Sequence, residues 1–325
     1  MKTFLLFILA LVSIASLAQE APTLKILHTY SDEDATNSRN FGSDLSICNN
    51  SIYISARNDN ARYVDSYSIA SDGSLSFINK IDGMTEGDNA KMFGYSISAS
   101  DDYVVVVAST GKNIFVYPQN GKERYSVTPT GTVPVISQDG NTLIITGNGQ
   151  IGIYKITDTE LTPLYTLPAA EAKINTGTKP AIKGNIAAVC DRTNKKVIIF
   201  ELNNGSWTKT SEVNIPNGTT DLFGLTIGDG HIFAGDRKLG HIFDIVKQNN
   251  SWSIRQIIKD GEGTSLGSFL AYDNGHLVAL CNYTQKEPFN KSYVFHQNSD
   301  GNWVKEYTIN NNNDLRYSLY MESQE

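Results

Sequence analysis

The chain has 325 residues, a formal net charge of −7 and a 40% share of hydrophobic residues, which is typical of a folded globular protein. Because no excess of basic residues could attract phosphates, the charge argues against nucleic acids and anionic membranes as partners. The length alone would allow about two domains. No linker rich in proline, glycine or serine divides the chain, so we predict a single domain over residues 19–325.

Residues 1–18 have the pattern of a secretory signal peptide. A charged start, Met1-Lys2-Thr3, precedes an apolar run from Phe4 to Leu17, and Ser16-Leu17-Ala18 has the small-x-small arrangement that signal peptidase reads. The apolar run is short for a bilayer span, although an uncleaved anchor is the alternative interpretation. We expect an exported, extracellular protein that has no membrane span once the signal is removed.

Residues 93–128 predict a meander of four short strands. Phe93–Ser98 alternates apolar with small or polar residues, and Tyr103–Ala108 is a continuous apolar run rich in valine. Two further strands are predicted at Ile114–Tyr117 and Arg124–Val127. Turns rich in glycine, asparagine and aspartate separate these segments, as in a β-meander.

The same unit recurs along the chain, with starts near residues 41, 93, 133, 179, 222 and 266. The spacing is mostly about 40 to 50 residues, which is the range for propeller blades. We therefore predict an all-β fold, a β-propeller of four-stranded blades. Residues 24–28 resemble a last strand and residues 315–319 a first strand, so we expect both termini to close an incomplete seventh blade. A six-bladed ring is the alternative.

Two short motifs recur at corresponding positions of these units. Phe41-Gly42, Phe93-Gly94, Phe223-Gly224 and Leu266-Gly267 begin units, and Trp207, Trp252 and Trp303 begin last strands. With Phe93–Ser98 and Tyr103–Ala108, these motifs resemble the FG-GAP repeat family, the propeller of integrin α-subunits and of many exported proteins. The resemblance covers about residues 41–309. The calcium loop of that family, Asp-x-Asp-x-Asp-Gly, is absent from the sequence, so the resemblance implies no calcium site here.

The sequence contains no recognisable catalytic motif. Gly-x-Ser-x-Gly, His-Glu-x-x-His and a phosphate-cradling loop are all missing. Cys48, Cys190 and Cys281 do not have the spacing of metal ligands, and we expect three buried free thiols. His231 and His276 occupy the same place in adjacent units, so repetition explains them better than metal binding does. We expect no catalytic residue, no metal and no cofactor.

One set of polar residues is a candidate for ligand binding. In a propeller, the loops between second and third strands share a face with the connections between blades. On that face the sequence places Arg57, Asp59, Asp191, Arg192, Asp236, Arg237 and Tyr283. The two Asp-Arg pairs could line a polar funnel for a peptide, a carboxylate or a glycan, since guanidinium groups suit anionic oxygens. The alternative is that each pair only ties neighbouring loops together.

Six sequons are possible glycosylation sites if the protein comes from a eukaryote. They lie in or near predicted turns, at Asn49, Asn204, Asn217, Asn249, Asn282 and Asn290.

These features favour an exported, non-enzymatic interaction scaffold that binds a protein or a glycan. One alternative is a hydrolase or lyase acting on carbohydrate through carboxylates in the propeller funnel. A second alternative is a surface adhesion module that belongs to a larger assembly.

Overall fold

The structure is a computed structural model that describes residues 41–57, 62–110, 113–129, 132–167, 171, 178–216, 221–259, 265–281 and 291–310. Within these residues, 24 strands form six four-stranded sheets. All strand pairs are antiparallel, and the strands of each sheet follow one another in chain order. The six sheets are the blades of a β-propeller.

The first three blades span residues 41–167. Blade 1 contains β1 (Phe41–Cys48), β2 (Ser51–Arg57), β3 (Arg62–Ile69) and β4 (Leu75–Asp82). Blade 2 contains β5 (Phe93–Ala99), β6 (Tyr103–Ala108), β7 (Asn113–Pro118) and β8 (Tyr125–Val127). Blade 3 contains β9 (Thr132–Asp139), β10 (Thr142–Asn148), β11 (Gln150–Ile156) and β12 (Leu161–Leu167). A 3₁₀ segment, Gly83–Ala90, connects blades 1 and 2.

The other three blades span residues 181–310. Blade 4 contains β13 (Ala181–Lys183), β14 (Ile186–Asp191), β15 (Lys196–Asn203) and β16 (Ser206–Asn214). Blade 5 contains β17 (Leu222–Gly228), β18 (His231–Asp236), β19 (His241–Gln248) and β20 (Ser251–Lys259). Blade 6 contains β21 (Phe269–Asp273), β22 (His276–Leu280), β23 (Lys291–Gln297) and β24 (Trp303–Asn310).

The propeller prediction is confirmed, and the blade count of the described residues matches the six-bladed alternative instead of the seven positions that we favoured. The seventh position was predicted from residues 24–28 and 315–319. Both segments lie outside the described residues, as does the predicted signal peptide at residues 1–18. The described residues include no helix long and apolar enough to cross a membrane.

The apolar core lies between neighbouring blades. In β6, Val104 and Val106 pack in the cluster shared with blade 1, whereas Val105 and Val107 pack in the cluster shared with blade 3. Because both faces of the blade are buried, this strand is apolar at every position instead of alternating. Similar clusters join blades 3 and 4, 4 and 5, and 5 and 6.

The first strand of each blade is the innermost one, and side chains from one first strand bond the backbone of the next. The amide of Ala99 in β5 donates to Ser46 Oγ in β1 (2.8 Å), and the amide of Gln138 in β9 donates to Ser98 Oγ in β5 (3.0 Å). Both serines are buried. The small polar residues of the repeated first strand therefore satisfy backbone donors of the following blade.

The Phe-Gly motif produces a β-bulge at the start of the first strand. Gly94 has a φ of 81°, and a Cβ at this position would lie 2.8 Å from Ser55 Cβ, so the bulge accepts glycine best. Blade 5 differs from the predicted alignment. Leu222, not Phe223, occupies the buried position before the bulge, and Gly224 does not have a positive φ.

The three repeated tryptophans pack between blades. Trp303 of blade 6 makes an edge contact with Phe233 of blade 5 at 5.1 Å between centroids, and its backbone amide donates to Gln256 Oε1 of blade 5 at 2.7 Å. Trp207 and Trp252 are buried in the equivalent clusters against blades 3 and 4. The tryptophans therefore act as packing residues between neighbouring blades.

Candidate functional site

The two ends of the propeller differ in the loops that they carry. The loops between second and third strands and the connections between blades lie on one end, which we call the connection face. The hairpin turns between first and second strands and between third and fourth strands lie on the other, which we call the turn face. This follows from four antiparallel strands in chain order.

On the connection face, the aspartates of the two predicted Asp-Arg pairs cap their own turns. Asp191 is buried and accepts hydrogen bonds from the backbone amide and the side-chain amide of Asn194, at 2.9 and 2.8 Å. Asp236 is also buried, and its Oδ1 accepts from the amides of Lys238 and Leu239, both at 3.0 Å. Each turn is fixed by its aspartate, which sets the position of the arginine that follows.

Both arginines reach the same carboxylate. Arg192 Nη2 donates to Asp221 Oδ1, and Arg237 Nε donates to Asp221 Oδ2. Asp221 lies in the connection between blades 4 and 5, and its carbonyl oxygen accepts from the amide of Arg237 at 3.2 Å. The arginines therefore tie neighbouring loops together, which was the alternative interpretation of the Asp-Arg pairs. The Arg237 side chain nevertheless remains 37% exposed.

An aromatic pair lies directly against these guanidinium groups. The Arg237 guanidinium lies 4.3 Å from the centroid of the Phe223 ring, and that of Arg192 lies 5.8 Å from it. The ring of Phe269 in blade 6 meets Phe223 edge-on at 5.8 Å and is 43% exposed. The exposed ring of Phe269 and the exposed guanidinium group of Arg237 therefore both pack against the ring of Phe223. We call Arg192, Asp221, Phe223, Arg237 and Phe269 the arginine–phenylalanine platform.

Three glycines allow blades 5 and 6 to approach closely enough to form this platform. A Cβ on Gly224 would lie 2.4 Å from Gly267 O, and a Cβ on Gly235 would lie 2.1 Å from the same oxygen. The amide of Gly224 donates to that oxygen at 3.1 Å. Any side chain at Gly224 or Gly235 would push the blades apart, and Phe269 would then move away from Phe223.

A second guanidinium–aromatic contact lies on the same face of blades 1 and 2. Arg57, at the end of β2, lies 4.7 Å from the centroid of the Tyr95 ring in β5. Like Arg192 and Phe223, this pair joins the end of a second strand to the first strand of the next blade. Asp59 and Tyr283, which the sequence placed in the same candidate site, lie outside the described residues.

An ion pair spans the central channel near the connection face. Lys179, which precedes the first strand of blade 4, places its Nζ 2.9 Å from both carboxylate oxygens of Asp44 in blade 1. The same nitrogen donates to Ile97 O in blade 2 at 3.3 Å. Lys179 thus joins three blades across the axis. Asp44 also accepts from the amide of Ile97 at 2.7 Å.

The carboxylates of the turn face mostly tie one blade to the next. Asp101 accepts from Cys48 Sγ (3.0 Å) and from the side chain of Asn49, and these bonds hold the pKa of Asp101 below its ordinary value. Asp139 accepts from the amide of Gly184 at 2.5 Å. Such bonds give the aspartates that recur in the first turns a structural role between blades.

Three of the four described histidines lie within 4 Å of a carboxylate. His231 Nδ1 lies 2.7 Å from Asp244 Oδ1, and Arg255 Nε donates to the other oxygen of Asp244 at 2.8 Å. His276 and His296 both approach Glu306, at 3.6 and 3.3 Å. The described residues contain no group of three or more His, Cys, Asp and Glu side chains suited to a metal ion.

Two open hollows lie away from the platform. One of about 350 Å³ is lined by the outer parts of blades 5 and 6, between Ile257 and Lys305. The other, of about 240 Å³, lies on the turn face beside Asp101 and Gln138. Neither contains the arginines that the sequence singled out, and both are smaller than or at the lower end of typical ligand pockets.

Three of the six sequons are described, and each asparagine is an exposed residue of a tight turn. Asn49, Asn204 and Asn249 have φ values of 49°, 50° and 49°. The side chain of Asn49 donates to Asp101, so a glycan on this residue would break that contact. Asn217, Asn282 and Asn290 lie outside the described residues.

The sequence missed the groups that organise the candidate site. Asp221 was overlooked because its two arginine partners lie 29 and 16 residues away along the chain. Asp221 lies directly before an apolar first strand, and this position could have indicated that it lies on the connection face. Phe223 was assigned to the Phe-Gly motif, and Phe269 was not singled out.

No protein-family model and no curated protein matches the chain. Among solved structures, a protein from Lactobacillus plantarum matches with a TM-score of 0.61 at 11% identity, over 83% of this chain and 85% of that one. A Bacteroides uniformis protein, provisionally described as a 6-phosphogluconolactonase, matches with a TM-score of 0.60 at 14% identity, over 80% and 82%. The WD40 repeats of RRP9 match with a TM-score of 0.60 at 9% identity, over 80% and 77%. At these identities the similarity shows the β-propeller fold alone.

Proposed function

We propose that this chain is an exported interaction scaffold that binds a protein or a glycan through the connection face of blades 4 to 6. The arginine–phenylalanine platform is the observation that carries the proposal. Its guanidinium groups are held by Asp221 and by turns that buried aspartates cap, while Arg237 and Phe269 remain exposed. Prearranged arginine and aromatic side chains are the groups that dominate binding energy at interaction surfaces.

Two further observations support a scaffold role. Propellers present loops from several blades on one face, which suits recognition of an extended partner. The sequence resemblance to FG-GAP propellers supports the same role, and the signal-peptide pattern of residues 1–18 supports export. Sequencing the N-terminus of the protein recovered from the medium tests export, since cleavage after Ala18 would leave Gln19 first.

The test of the scaffold is capture of a partner from the native extracellular medium by full-length protein. We expect Arg192→Ala and Arg237→Ala to reduce capture by about tenfold, because each removes a positioned cation from the binding face. Arg124→Ala is the matched control, since Arg124 is also ion-paired, with Glu86, but lies outside the platform. Unchanged capture by both platform variants, with thermal unfolding showing them folded, would remove the proposal.

The second candidate is a carbohydrate-active hydrolase or lyase that uses a carboxylate in the central channel. Asp44 is the observation that favours it, because this carboxylate lies beside the axis and is held by Lys179. The provisional description of the Bacteroides uniformis propeller names a hydrolytic reaction for that protein. A turnover screen on polysaccharides decides between the candidates, since a scaffold retains the polymer without product. Product formation that Asp44→Asn abolishes would favour the enzyme.

A further inference from the structure

We propose that the arginine–phenylalanine platform binds a carboxylated sugar, so that the ligand is a glycan containing uronic acid. This inference rests on the proposed binding role of the connection face and names the ligand class. The carboxylate would lie against the exposed edge of the Arg237 guanidinium, and the C–H face of the sugar ring would lie on Phe269.

Four cationic side chains lie on the described part of the connection face in blades 4 and 5. Arg237 is 37% exposed, and the nearby Lys195, Lys238 and Lys259 are exposed residues at strand or turn ends of the same face. The three aspartates of the platform and its turns are engaged by neighbouring groups. Asp191 and Asp236 are buried and bond backbone amides of their own turns, and Asp221 holds the two arginines. The charges of these aspartates offset much of the long-range electric field of the arginines. We therefore expect the ligand carboxylate to be recognised by short, charge-assisted hydrogen bonds.

The titration of a neighbouring histidine agrees with these cationic surroundings. His241 begins the strand that follows Arg237, and its pKa is lowered, first by burial and then by the charge of Lys259, against an opposing effect of Asp236. The charge of Lys259 therefore lowers the pKa of His241 even though the carboxylate of Asp236 acts in the opposite direction.

The geometry of the platform supplies two kinds of contact side by side. The Arg237 guanidinium lies over the Phe223 ring at 4.3 Å and its side chain is 37% exposed, and Phe269 meets the same ring edge-on at 5.8 Å. A uronic acid carries a carboxylate at the edge of a ring that has an apolar C–H face. Both features thus fall within a single sugar residue. Planar guanidinium groups suit carboxylates, and exposed aromatic rings offer apolar contact area.

The backbone around the platform favours a sugar over an extended peptide. The amide of Gly224 already donates to Gly267 O, and the amide of Arg237 already donates to Asp221 O. Peptides that add to a sheet gain their affinity from main-chain hydrogen bonds to an open strand edge. These two amides already have acceptors within the protein, so we expect recognition by side-chain contacts.

Calorimetric titration of the full-length protein with an oligogalacturonate tests the inference, and the same oligomer with its carboxyl groups reduced to alcohols is the comparison ligand. We expect the reduced oligomer to bind at least about tenfold more weakly. Arg237→Gln and Phe269→Ala should each weaken oligogalacturonate binding by about tenfold. Phe77→Ala is the matched control, because Phe77 is 57% exposed on the outer strand of blade 1, and it should leave binding unchanged.

The outcomes separate this inference from the broader proposal. Equal binding of both oligomers, or binding that survives Arg237→Gln and Phe269→Ala, overturns the carboxylated-sugar inference. If neither oligomer binds but Arg237→Ala still abolishes capture of a protein partner, the sugar inference fails and the scaffold stands. Preferential binding of a peptide with a free carboxyl terminus over its amide would likewise assign the platform to peptides. If partner capture and oligogalacturonate binding are both unchanged in the Arg192 and Arg237 variants, both proposals are overturned.

Discussion

At the scale of single residues, an aspartate followed by an arginine has two linked effects in this chain. The buried carboxylate of Asp191 or Asp236 closes a turn, and the next residue then points its guanidinium group at Asp221. The sequence predicted that these pairs share a face. It could not predict their common partner, because that contact depends on how blades 4 and 5 pack.

Replacement of Asp221 tests this arrangement. Asp221→Asn removes the charge that both Arg192 and Arg237 contact, and we expect it to lower the free energy of unfolding by about 1–3 kcal/mol. Denaturant unfolding measures the change. Asp300→Asn, in an exposed turn of blade 6, is the control and should have little effect. Equal stability of the two variants would show that the shared carboxylate does not hold the platform.

The three cysteines differ in their expected reactivity, because Cys48 is partly exposed and not buried as predicted. Cys190 is buried, and burial raises the pKa of its thiol to about 12, so at pH 8 only about one molecule in ten thousand carries the reactive thiolate. Cys281 is buried and Cys48 is partly exposed. Thiol labelling of the folded protein followed by mass spectrometry should modify Cys48 alone. Labelling of Cys190 before unfolding would contradict the described packing.

At the scale of the strand, the repeated serines join one blade to the next. Ser46, which is 1% exposed, accepts from the amide of Ala99 at 2.8 Å. The alternation of apolar and small polar residues in Phe93–Ser98 predicted a strand, but it did not reveal that the polar side chains bond the neighbouring blade. That role depends on first strands of neighbouring blades lying side by side around the axis. The sequence pattern within one strand does not predict this arrangement.

Removal of one such hydroxyl group should be costly. Ser46→Ala leaves the buried amide of Ala99 without this acceptor, and we expect a loss of about 1–3 kcal/mol in the free energy of unfolding. Ser76→Ala, on the exposed outer strand β4, should change stability by less than about 0.5 kcal/mol. Equilibrium unfolding in urea compares the variants, and a neutral Ser46→Ala would contradict this role of the first-strand serines.

A partly buried ion pair between blades 4 and 5 predicts a pH dependence. Lys247 Nζ lies 2.7 Å from Glu201 Oε1. Burial alone would raise the pKa of Glu201, but hydrogen bonds from Lys247 and Thr210 and the charge of Lys247 hold it below its ordinary value. A lowered carboxylate pKa contributes stability above the ordinary pKa of glutamate, about 4.3, that is lost as pH falls through the folded-state pKa.

Glu201→Gln should therefore lower stability by about 1 kcal/mol at pH 7. The difference from the wild type should shrink as the pH falls below about 4, because the wild-type side chain is then protonated as well. Thermal unfolding between pH 7 and pH 3 measures both curves. A difference that stays constant over this range would show that the charge of Glu201 does not stabilise the blade interface.

At the scale of the whole molecule, the repeat pattern predicted more of the fold than of the site. The apolar run Tyr103–Ala108 predicted a strand, and the described structure buries that strand between two neighbouring blades. The alignment of Phe223-Gly224 with Phe93-Gly94 was wrong by one residue, because Leu222 fills the buried position. That shift frees the Phe223 ring to support Arg237 and Phe269, and it arises from packing between blades.

The most direct test of a scaffold that binds through the connection face is hydrogen exchange of the full-length protein, with and without its captured partner. The account predicts slower amide exchange in residues 192–195, 221–224, 237–241 and 269–271 on binding. Exchange in the turns at residues 100–102 and 139–141 should not change. Protection confined to those turns, on the opposite face, would contradict the account.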